Sequence, residues 1–275
     1  MKVLLVGSYN DTSDNIGQYR ALTTLGYDTV MFDYKRYPGD VLVKTVERDR
    51  PDLVILNKCQ HYSTDVIDKC RNISRVVYWY MDPVVSMKAC VDILGKVKAC
   101  HAAAASRRGV VEKFRQVNPV SCHIHEGFDP FFHKPMADVM WDVDVSFIGQ
   151  IRAERENYYK NVKFTVISDA YNEKHSMAVC RSKINLNFSE GCGSSNRIYK
   201  LMASGGFVLT QKFDGLEDDF KVGEELVAFN NIEDLREKID YYLHNDNLRQ
   251  HIAFNGLKAV QKYSWATWAG KIVLL

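Results

Sequence analysis

The chain has 275 residues, of which 46% are hydrophobic and 25% charged, proportions typical of a globular protein. They exclude wholesale disorder, and the length allows one large domain or two compact ones. The net charge of +2 favours no class of partner. Residues 1–135 carry a net charge of +4, which is too small to predict a nucleic-acid surface.

The seven cysteines and the apolar segments indicate in which cellular compartment the protein is expected. No two cysteines form a C-x-x-C motif, so neither a disulfide framework nor a zinc site is predicted. The N-terminal apolar run stops at Gly7, which is too early for a signal peptide. No segment approaches the ~18 apolar residues that span a bilayer. We therefore expect a cytoplasmic protein with reduced thiols and no membrane span.

The first half alternates short β-branched runs with helical patterns. Strands are predicted at residues 2–6, 29–32, 53–56, 76–80, 97–105 and 120–124. Helices are predicted at 16–25, ended by Gly26, and at 107–117. This alternation is typical of a parallel, doubly wound sheet.

The second half repeats the scheme. Strands are predicted at residues 144–148, 164–167, 184–188, 207–210 and 226–229. Helices are predicted near residue 152 and at 173–181, 196–204, 232–244 and 247–262. No proline follows Pro135, so residues 127–142 are the predicted linker.

The predicted fold class is α/β, with two Rossmann-like domains whose parallel sheets face a cleft. The expected domains are residues 1–135 and 136–262, with 263–275 packing back on the first domain through Trp265 and Trp268. Ligands of such sheets bind at the carboxyl ends of the strands. One domain could then hold a donor and the other an acceptor.

A predicted strand, a Gly/Ser loop and a helix follow one another at residues 182–204. Ser195 and Asn196 are candidate N-caps of this helix, whose first N–H groups and positive dipole end suit a phosphate. Arg197 adds a bidentate donor, and Lys200 lies on the same helix face. An ordinary capped turn between a strand and a helix would show the same spacing. Dinucleotide binding is not indicated, because the first strand–helix loop lacks G-x-G-x-x-G.

Beyond its spacing, the segment from Ser182 to Thr210 resembles the C-terminal domain of GT-B glycosyltransferases, in particular the group related to the spore maturation protein CgeB. Three further stretches share the resemblance. They are residues 144–149 with Arg155, residues 125–130 with the pattern G-x-D-P, and residues 215–225. The likeness covers residues 120–268 well, and the first half in architecture only.

The resemblance implies a nucleotide-diphospho-sugar donor in the C-terminal domain and an acceptor facing the N-terminal one. It also implies no metal and no other cofactor, because cationic side chains would neutralise the leaving diphosphate. The implied donor-binding residues are Gly149, Arg152, Arg155, Ser195, Asn196, Arg197, Lys200, Gly215, Leu216 and Glu217. Lys200 departs from the pattern, since relatives usually place a glutamate there to hold the ribose hydroxyls. A lysine cannot accept those hydrogens but could contact a phosphate.

The catalytic base is expected to be a carboxylate or histidine at a strand end of the first half. Asp82 follows the predicted strand 76–80 directly and is the first candidate, although an Asp-Pro turn would look the same. His123 and His125 alternate in a strand and give weak evidence for a metal site.

The leading hypothesis is therefore transfer of a hexosyl or pentosyl group from a nucleotide sugar to an acceptor hydroxyl. The acceptor could be a glycan, a protein, a small molecule or modified DNA, and a homodimer is possible. Two alternatives remain open. One is a non-catalytic module that binds a sugar or nucleotide, which Lys200 supports, and the other is a sugar-nucleotide epimerase.

Overall fold

The computed structural model describes residues 1–10, 12–82, 87–152, 155–189 and 195–275. The chain divides into two compact units. Unit one comprises Met1–Glu126 together with Trp265–Leu275, and unit two comprises Gly127–Ser264. Each unit has its own parallel sheet and its own apolar cores.

The sheet of unit one has six parallel strands in the order β2-β1-β3-β4-β5-β6. The strands are β1 (Lys2–Gly7), β2 (Asp28–Asp33), β3 (Leu53–Asn57), β4 (Arg75–Tyr80), β5 (Ala102–Ala105) and β6 (Ser121–His123). Strands β3 and β5 are buried along their whole length, as expected where helices cover both faces of a parallel sheet.

The helices of unit one connect these strands, and the last one comes from the chain terminus. They are α1 (Asp14–Thr24), α2 (Gly39–Asp49), α3 (Thr64–Arg71), α4 (Met87–Ala99), α5 (Arg108–Arg115) and α12 (Trp265–Ile272). Ser13 is the N-cap of helix α1, and its hydroxyl accepts a hydrogen bond from the Asn15 N–H.

The strand predicted at residues 97–105 is wrong in its first part. Val97 and Ala99 lie in α4, where Ile93 and Val97, one turn apart, are both buried. The strand itself consists of four alanines, a poor β-forming sequence. Pairing with β4 on one side and β6 on the other determines its conformation, which local propensity does not predict.

The sheet of unit two has five parallel strands in the order β11-β10-β9-β7-β8. The strands are β7 (Val143–Ile148), β8 (Thr165–Ile167), β9 (Ser182–Asn187), β10 (Val208–Gln211) and β11 (Val227–Phe229). The helices are α6 (Arg155–Asn161), α7 (Glu173–Arg181), α8 (Asn196–Ala203), α9 (Leu216–Asp219), α10 (Ile232–Leu243) and α11 (Asp246–Ala259), followed by a 3₁₀ turn at Val260–Tyr263.

The first residues of the predicted linker are held inside unit two. The Ser176 hydroxyl donates a hydrogen bond to the Phe132 carbonyl over 2.8 Å. The His133 ring packs against the His175 ring with 5.3 Å between centroids. These contacts explain why unit two begins at Gly127, upstream of Pro135.

Helix α12 supplies aromatic side chains to the core of unit one. Trp265 and Trp268 are each 1% exposed, and their rings meet edge-to-face at 5.9 Å. Trp268 also packs against Trp79 of β4 at 6.0 Å. The end of the chain is therefore part of the first folding unit.

No helix in the described part of the chain combines the length and apolarity required to cross a membrane.

Removing the Trp268 ring is expected to destabilise unit one. We expect Trp268→Ala to lower the free energy of unfolding by about 3–5 kcal/mol, because the substitution leaves a cavity against Trp79 and Trp265. Urea denaturation followed by circular dichroism measures the change. Trp141→Ala is the matched control, since Trp141 is 43% exposed and should cost much less. Equal losses for the two variants would contradict the packing described here.

Candidate functional site

The carboxyl ends of β7 and β9 meet around a glycine in unit two. Gly149 follows β7 with φ of +145°, in a region that side-chain-bearing residues rarely adopt. A Cβ at this position would lie 3.2 Å from Arg197 Nη2 and 3.2 Å from the Phe147 ring. Glycine thus meets both the backbone and the space requirement, and it lets the Arg197 side chain approach the end of β7.

Arg197 lies in the first turn of α8 and is fixed by groups from two strands. Its Nε donates a hydrogen bond to the Ile148 carbonyl over 2.9 Å, and its Nη1 donates to Asn187 Oδ1 over 3.3 Å. The guanidinium carbon lies 4.9 Å from the centre of the fully buried Phe147 ring. A half-buried cation is therefore held in one orientation at the edge of the sheet.

Arg155 approaches the same aromatic ring, whereas Arg152 turns to a surface glutamine. The Arg155 guanidinium carbon lies 5.4 Å from the Phe147 centroid, and its Nη1 donates to the Gln150 carbonyl over 3.0 Å. Arg152 is exposed and donates to the Gln150 side chain. The structure thus brings Gly149, Arg155 and Arg197 together.

The N-cap residue of α8 uses its side chain for another contact. Ser195 has the extended backbone of an N-cap, but its hydroxyl makes no capping hydrogen bond. The hydroxyl instead donates to Asn187 Oδ1 over 3.4 Å, the same oxygen that Arg197 contacts. Asn187 therefore ties the helix start at Asn196 to the end of β9, with the positive end of the helix dipole at this edge. The preceding loop residues Gly191, Gly193 and Ser194 lie outside the described residues.

Lys200 and Arg197 give the region beneath α8 a positive electrostatic environment. His175 of α7 is buried, and its pKa lies well below the ordinary value because burial disfavours the imidazolium form. The charges of His133, Lys200 and Arg197 lower this pKa further. Sequence reasoning missed the histidine pair, because only the fold brings these two residues together.

The stretch Gly215–Glu217 divides between the core and the solvent. Gly215 has a left-handed backbone with φ of +85° and begins the short helix α9. The Leu216 side chain is 1% exposed and belongs to the apolar core, so only its backbone could face a ligand. Glu217 is exposed and pairs with Lys212 over 3.0 Å.

In unit one, Asp82 follows β4 and forms an ion pair at the sheet edge. Its Oδ2 lies 2.6 Å from Lys58 Nζ, and its side chain is 41% exposed. Lys58 and the following Cys59 have φ of +61° and +42°, a left-handed conformation that is costly for non-glycine residues. The Tyr78 hydroxyl donates to the Lys58 carbonyl over 2.6 Å, and this bond helps to hold the strained turn. Pro83, which motivated the choice of Asp82, lies outside the described residues.

Glu126 is a second carboxyl group near this edge, and sequence reasoning assigned it no role. It follows β6, is 7% exposed, and its Oε1 lies 3.2 Å from Ser106 Oγ. Burial and the charge of Asp14 raise the pKa of Glu126, and Arg107, Lys58 and the Ser106 contact lower it, with a net value of about 7. Its burial and proximity to Asp14 depend on the fold, so no local pattern could have shown them.

A buried amide network lies beside β1 and β3. Asn57 Nδ2 donates to Asn15 Oδ1 over 2.9 Å and to Gln18 Oε1 over 2.7 Å. Asn15 in turn donates to the Ser8 carbonyl over 2.9 Å. The carboxyl edge of this sheet therefore presents the Asp82 carboxylate and the Lys58 ammonium group, while the buried Asn57 and Gln18 amides pair with each other and support the half-buried Asn15.

No cluster of three or more His, Cys, Asp or Glu side chains arranged to hold a metal ion occurs within the five described ranges.

A family model described as glycosyl transferase-like matches residues 130–273, and the chain belongs to that family. No curated protein sequence matches the chain. Among solved structures, Anabaena HepE in complex with UDP and glucose has a TM-score of 0.75 at 12% identity, over 100% of this chain and 98% of that one. Sucrose-phosphate synthase from Thermosynechococcus elongatus also has a TM-score of 0.75, at 11% identity over 99% and 97% of the two chains. A glycosyltransferase from Rickettsia africae has a TM-score of 0.70 at 11% identity, over 99% and 97%. At these identities the likeness shows the fold, which is that of the GT-B glycosyltransferases and confirms the predicted class.

The buried His175 is expected to make stability depend on pH below neutrality. Because the pKa of His175 is lowered in the folded chain, His175 binds a proton in the unfolded chain at pH values where it stays neutral in the folded chain. The contribution of His175 to the free energy of unfolding should therefore fall as pH drops below about 6.5, by up to about 1.4 kcal/mol per pH unit. The buried Glu126, whose pKa is raised, contributes with the opposite sign over the same range, so the His175 contribution is measured as the difference between wild type and a variant. Urea denaturation between pH 5 and 7 measures the slope. His175→Leu should remove this contribution, so that its free energy of unfolding rises relative to that of wild type as pH drops, whereas the control His251→Leu, at an exposed position, should keep the wild-type slope. An unchanged slope in His175→Leu would show that His175 does not cause it.

Proposed function

We propose that this member of the glycosyl transferase-like family moves a sugar from a nucleotide-diphosphate donor to an acceptor hydroxyl. The observation that carries the proposal is the fixed guanidinium of Arg197 at the carboxyl ends of β7 and β9, beside the start of α8. A pre-oriented arginine and a helix N-terminus together suit a diphosphate, which has oxygens for both. The family match and the fold are consistent with this role.

The donor would bind with its diphosphate against unit two. Arg197 would contact the phosphate oxygens, Arg155 and Lys200 would add positive charge, and Gly149 would allow close approach of the backbone. These cations can offset the charge that develops on the leaving diphosphate, so we propose a reaction without a metal ion. HepE has been crystallised with UDP and UDP-glucose, which makes a uridine nucleotide the first donor to test.

Asp82 is the proposed catalytic base. Its carboxylate would take the proton of the acceptor hydroxyl as that oxygen bonds to the anomeric carbon, while the bond from this carbon to the diphosphate oxygen breaks. Lys58 orients the carboxylate through the 2.6 Å ion pair. The half-buried Asn15 lies at the same sheet edge, held by the buried Asn57, and would bind another hydroxyl of the acceptor.

Lys200 affects how the nucleotide would be held. A lysine there cannot accept hydrogen bonds from ribose hydroxyls, so we propose that it contacts phosphate and that the ribose is held elsewhere. We also propose a relationship to CgeB-like enzymes. The transferred group would be hexosyl or pentosyl, and the acceptor a glycan, a protein, a small molecule or modified DNA. A homodimer is also proposed. A non-catalytic binding module remains the second candidate, since the base candidate is ion-paired and Lys200 departs from the enzyme pattern.

Loss of Arg197 is expected to weaken donor binding. We expect Arg197→Ala to raise the Kd for a nucleoside diphosphate about 10- to 150-fold, because a charge-assisted hydrogen bond contributes about 1.5–3 kcal/mol. Calorimetric titration with UDP, GDP, CDP and TDP identifies the preferred nucleotide and measures the change. Arg181→Ala is the matched control, since Arg181 pairs with Asp142 at the opposite end of β9. Equal affinities for wild type and Arg197→Ala would refute the donor site.

Loss of the Asp82 carboxylate is expected to slow turnover and leave donor binding intact. We expect Asp82→Asn to lower kcat about 10²- to 10⁴-fold, the usual contribution of a general base. Release of nucleoside diphosphate with and without acceptor measures the rate. Asp65→Asn, at an exposed position on α3, is the control. Normal turnover by Asp82→Asn would remove this residue from the mechanism, and binding without turnover by wild type would favour the non-catalytic module.

A further inference from the structure

The hydroxyl of Ser106 connects the ends of three neighbouring strands in unit one. Ser106 follows β5 directly and is 3% exposed. Its Oγ lies 3.1 Å from the carbonyl oxygen of Met81, which follows β4, and 3.2 Å from Glu126 Oε1, beyond β6. Met81 immediately precedes Asp82, the proposed base.

The number of available protons limits how these contacts can form. A serine hydroxyl has one proton to donate, and a backbone carbonyl can only accept. If Ser106 donates to Met81, the contact with Glu126 is a hydrogen bond only when Glu126 supplies the proton. If Glu126 is a carboxylate, it competes for the single proton of Ser106, and the Met81 carbonyl loses a donor.

We propose that Glu126 is a positioning residue that acts in its protonated form. Its carboxylic acid donates to Ser106, and Ser106 donates to the Met81 carbonyl, so that the backbone entering Asp82 is fixed. Arg107 Nε donates to the same carbonyl over 3.4 Å, a longer contact that remains when the serine turns away. The effect on Asp82 rests on the proposed function, but the protonation of Glu126 does not.

The surroundings of Glu126 agree with a neutral acid near pH 7. The carboxyl is buried, and this burial together with Asp14 of α1 raises its pKa to about 7. Lys58 after β3 and Arg107 after β5 favour the carboxylate and keep the pKa from rising further. Two histidines also lie nearby: His123 Nε2 contacts the Ser106 carbonyl over 3.0 Å, and the His125 ring packs on the His123 ring with 4.4 Å between centroids.

The sign of the pH effect follows from the raised pKa. Folding favours the protonated acid, so its stabilising contribution is complete below the unfolded pKa of about 4.3 and is lost as pH rises to about 7. Above pH 7 Glu126 is a carboxylate in most molecules and accepts the Ser106 proton, so the hydrogen bond from Ser106 to the Met81 carbonyl is broken and the longer Arg107 contact remains. The rate of the reaction would then fall as the protonated fraction falls, by at most about tenfold per pH unit.

Glu126→Gln tests the proposal, because an amide donates to Ser106 at every pH. We expect wild-type kcat to fall by up to about tenfold between pH 7.5 and 8.5, and the fall to be absent in Glu126→Gln. Glu112→Gln, at an exposed position on α5, is the matched control and should keep the wild-type profile. His123 is unchanged in both variants, so a fall in kcat that persists in Glu126→Gln would assign it to another group and overturn the positioning role.

A second measurement needs neither activity nor a folded variant. In wild-type protein labelled at the glutamate carboxyl carbons, NMR titration should show one carboxyl that titrates near pH 7, apart from the exposed glutamates near pH 4.3. If no glutamate titrates above pH 6, the protonated form is refuted whatever the enzyme does. If one does and no nucleotide sugar is turned over, the proposed function fails and the protonation of Glu126 stands.

Discussion

The proposed donor side of this protein depends on one interaction, the hydrogen bond from Arg197 Nε to the Ile148 carbonyl. It fixes the first turn of α8 against the end of β7, and Asn187 at the end of β9 holds the same guanidinium from another side. Gly149 must lack a side chain for this approach, because a Cβ there would crowd both the guanidinium and the Phe147 ring. Strand order, a positive φ and a stacked aromatic ring thus combine to place one cation where parallel sheets bind ligands.

The proposed acceptor side follows a different principle, in which backbone strain and burial set the properties of the charged groups. The left-handed backbone at Lys58 directs an ammonium group towards Asp82. Glu126 is buried a short distance away, where one hydroxyl links it to the carbonyl before Asp82. The two carboxyls therefore differ in kind, since one is half-exposed beside a cation and the other is buried and favoured in its neutral form. Such a separation is typical of paired groups in acid–base chemistry.

Sequence reasoning was most informative where chemistry follows chain order. Alternating strands and helices predicted the two parallel sheets, and the strand–loop–helix pattern located Arg197. It failed at the start of the strand predicted at residues 97–105, because Val97 and Ala99 belong to α4, and it was right for the four alanines of β5. It could not reveal the strained turn at Lys58, because a lysine in the sequence does not indicate a positive φ. It also could not show that the rings of His133 and His175, which are far apart along the chain, pack together. The Leu216 side chain shows a further limit, because a residue at a motif position can have its side chain in the apolar core.

The most direct test of the central claim is phosphorus NMR of a bound nucleoside diphosphate. The account predicts that both phosphorus resonances of the preferred nucleotide shift on binding to wild-type protein, with the larger change at the phosphate nearest Arg197. It also predicts that inorganic pyrophosphate reverses the shift by competition. Phosphorus resonances that stay in place while the nucleotide is bound would contradict the account, because the diphosphate would then not contact the Arg197 edge.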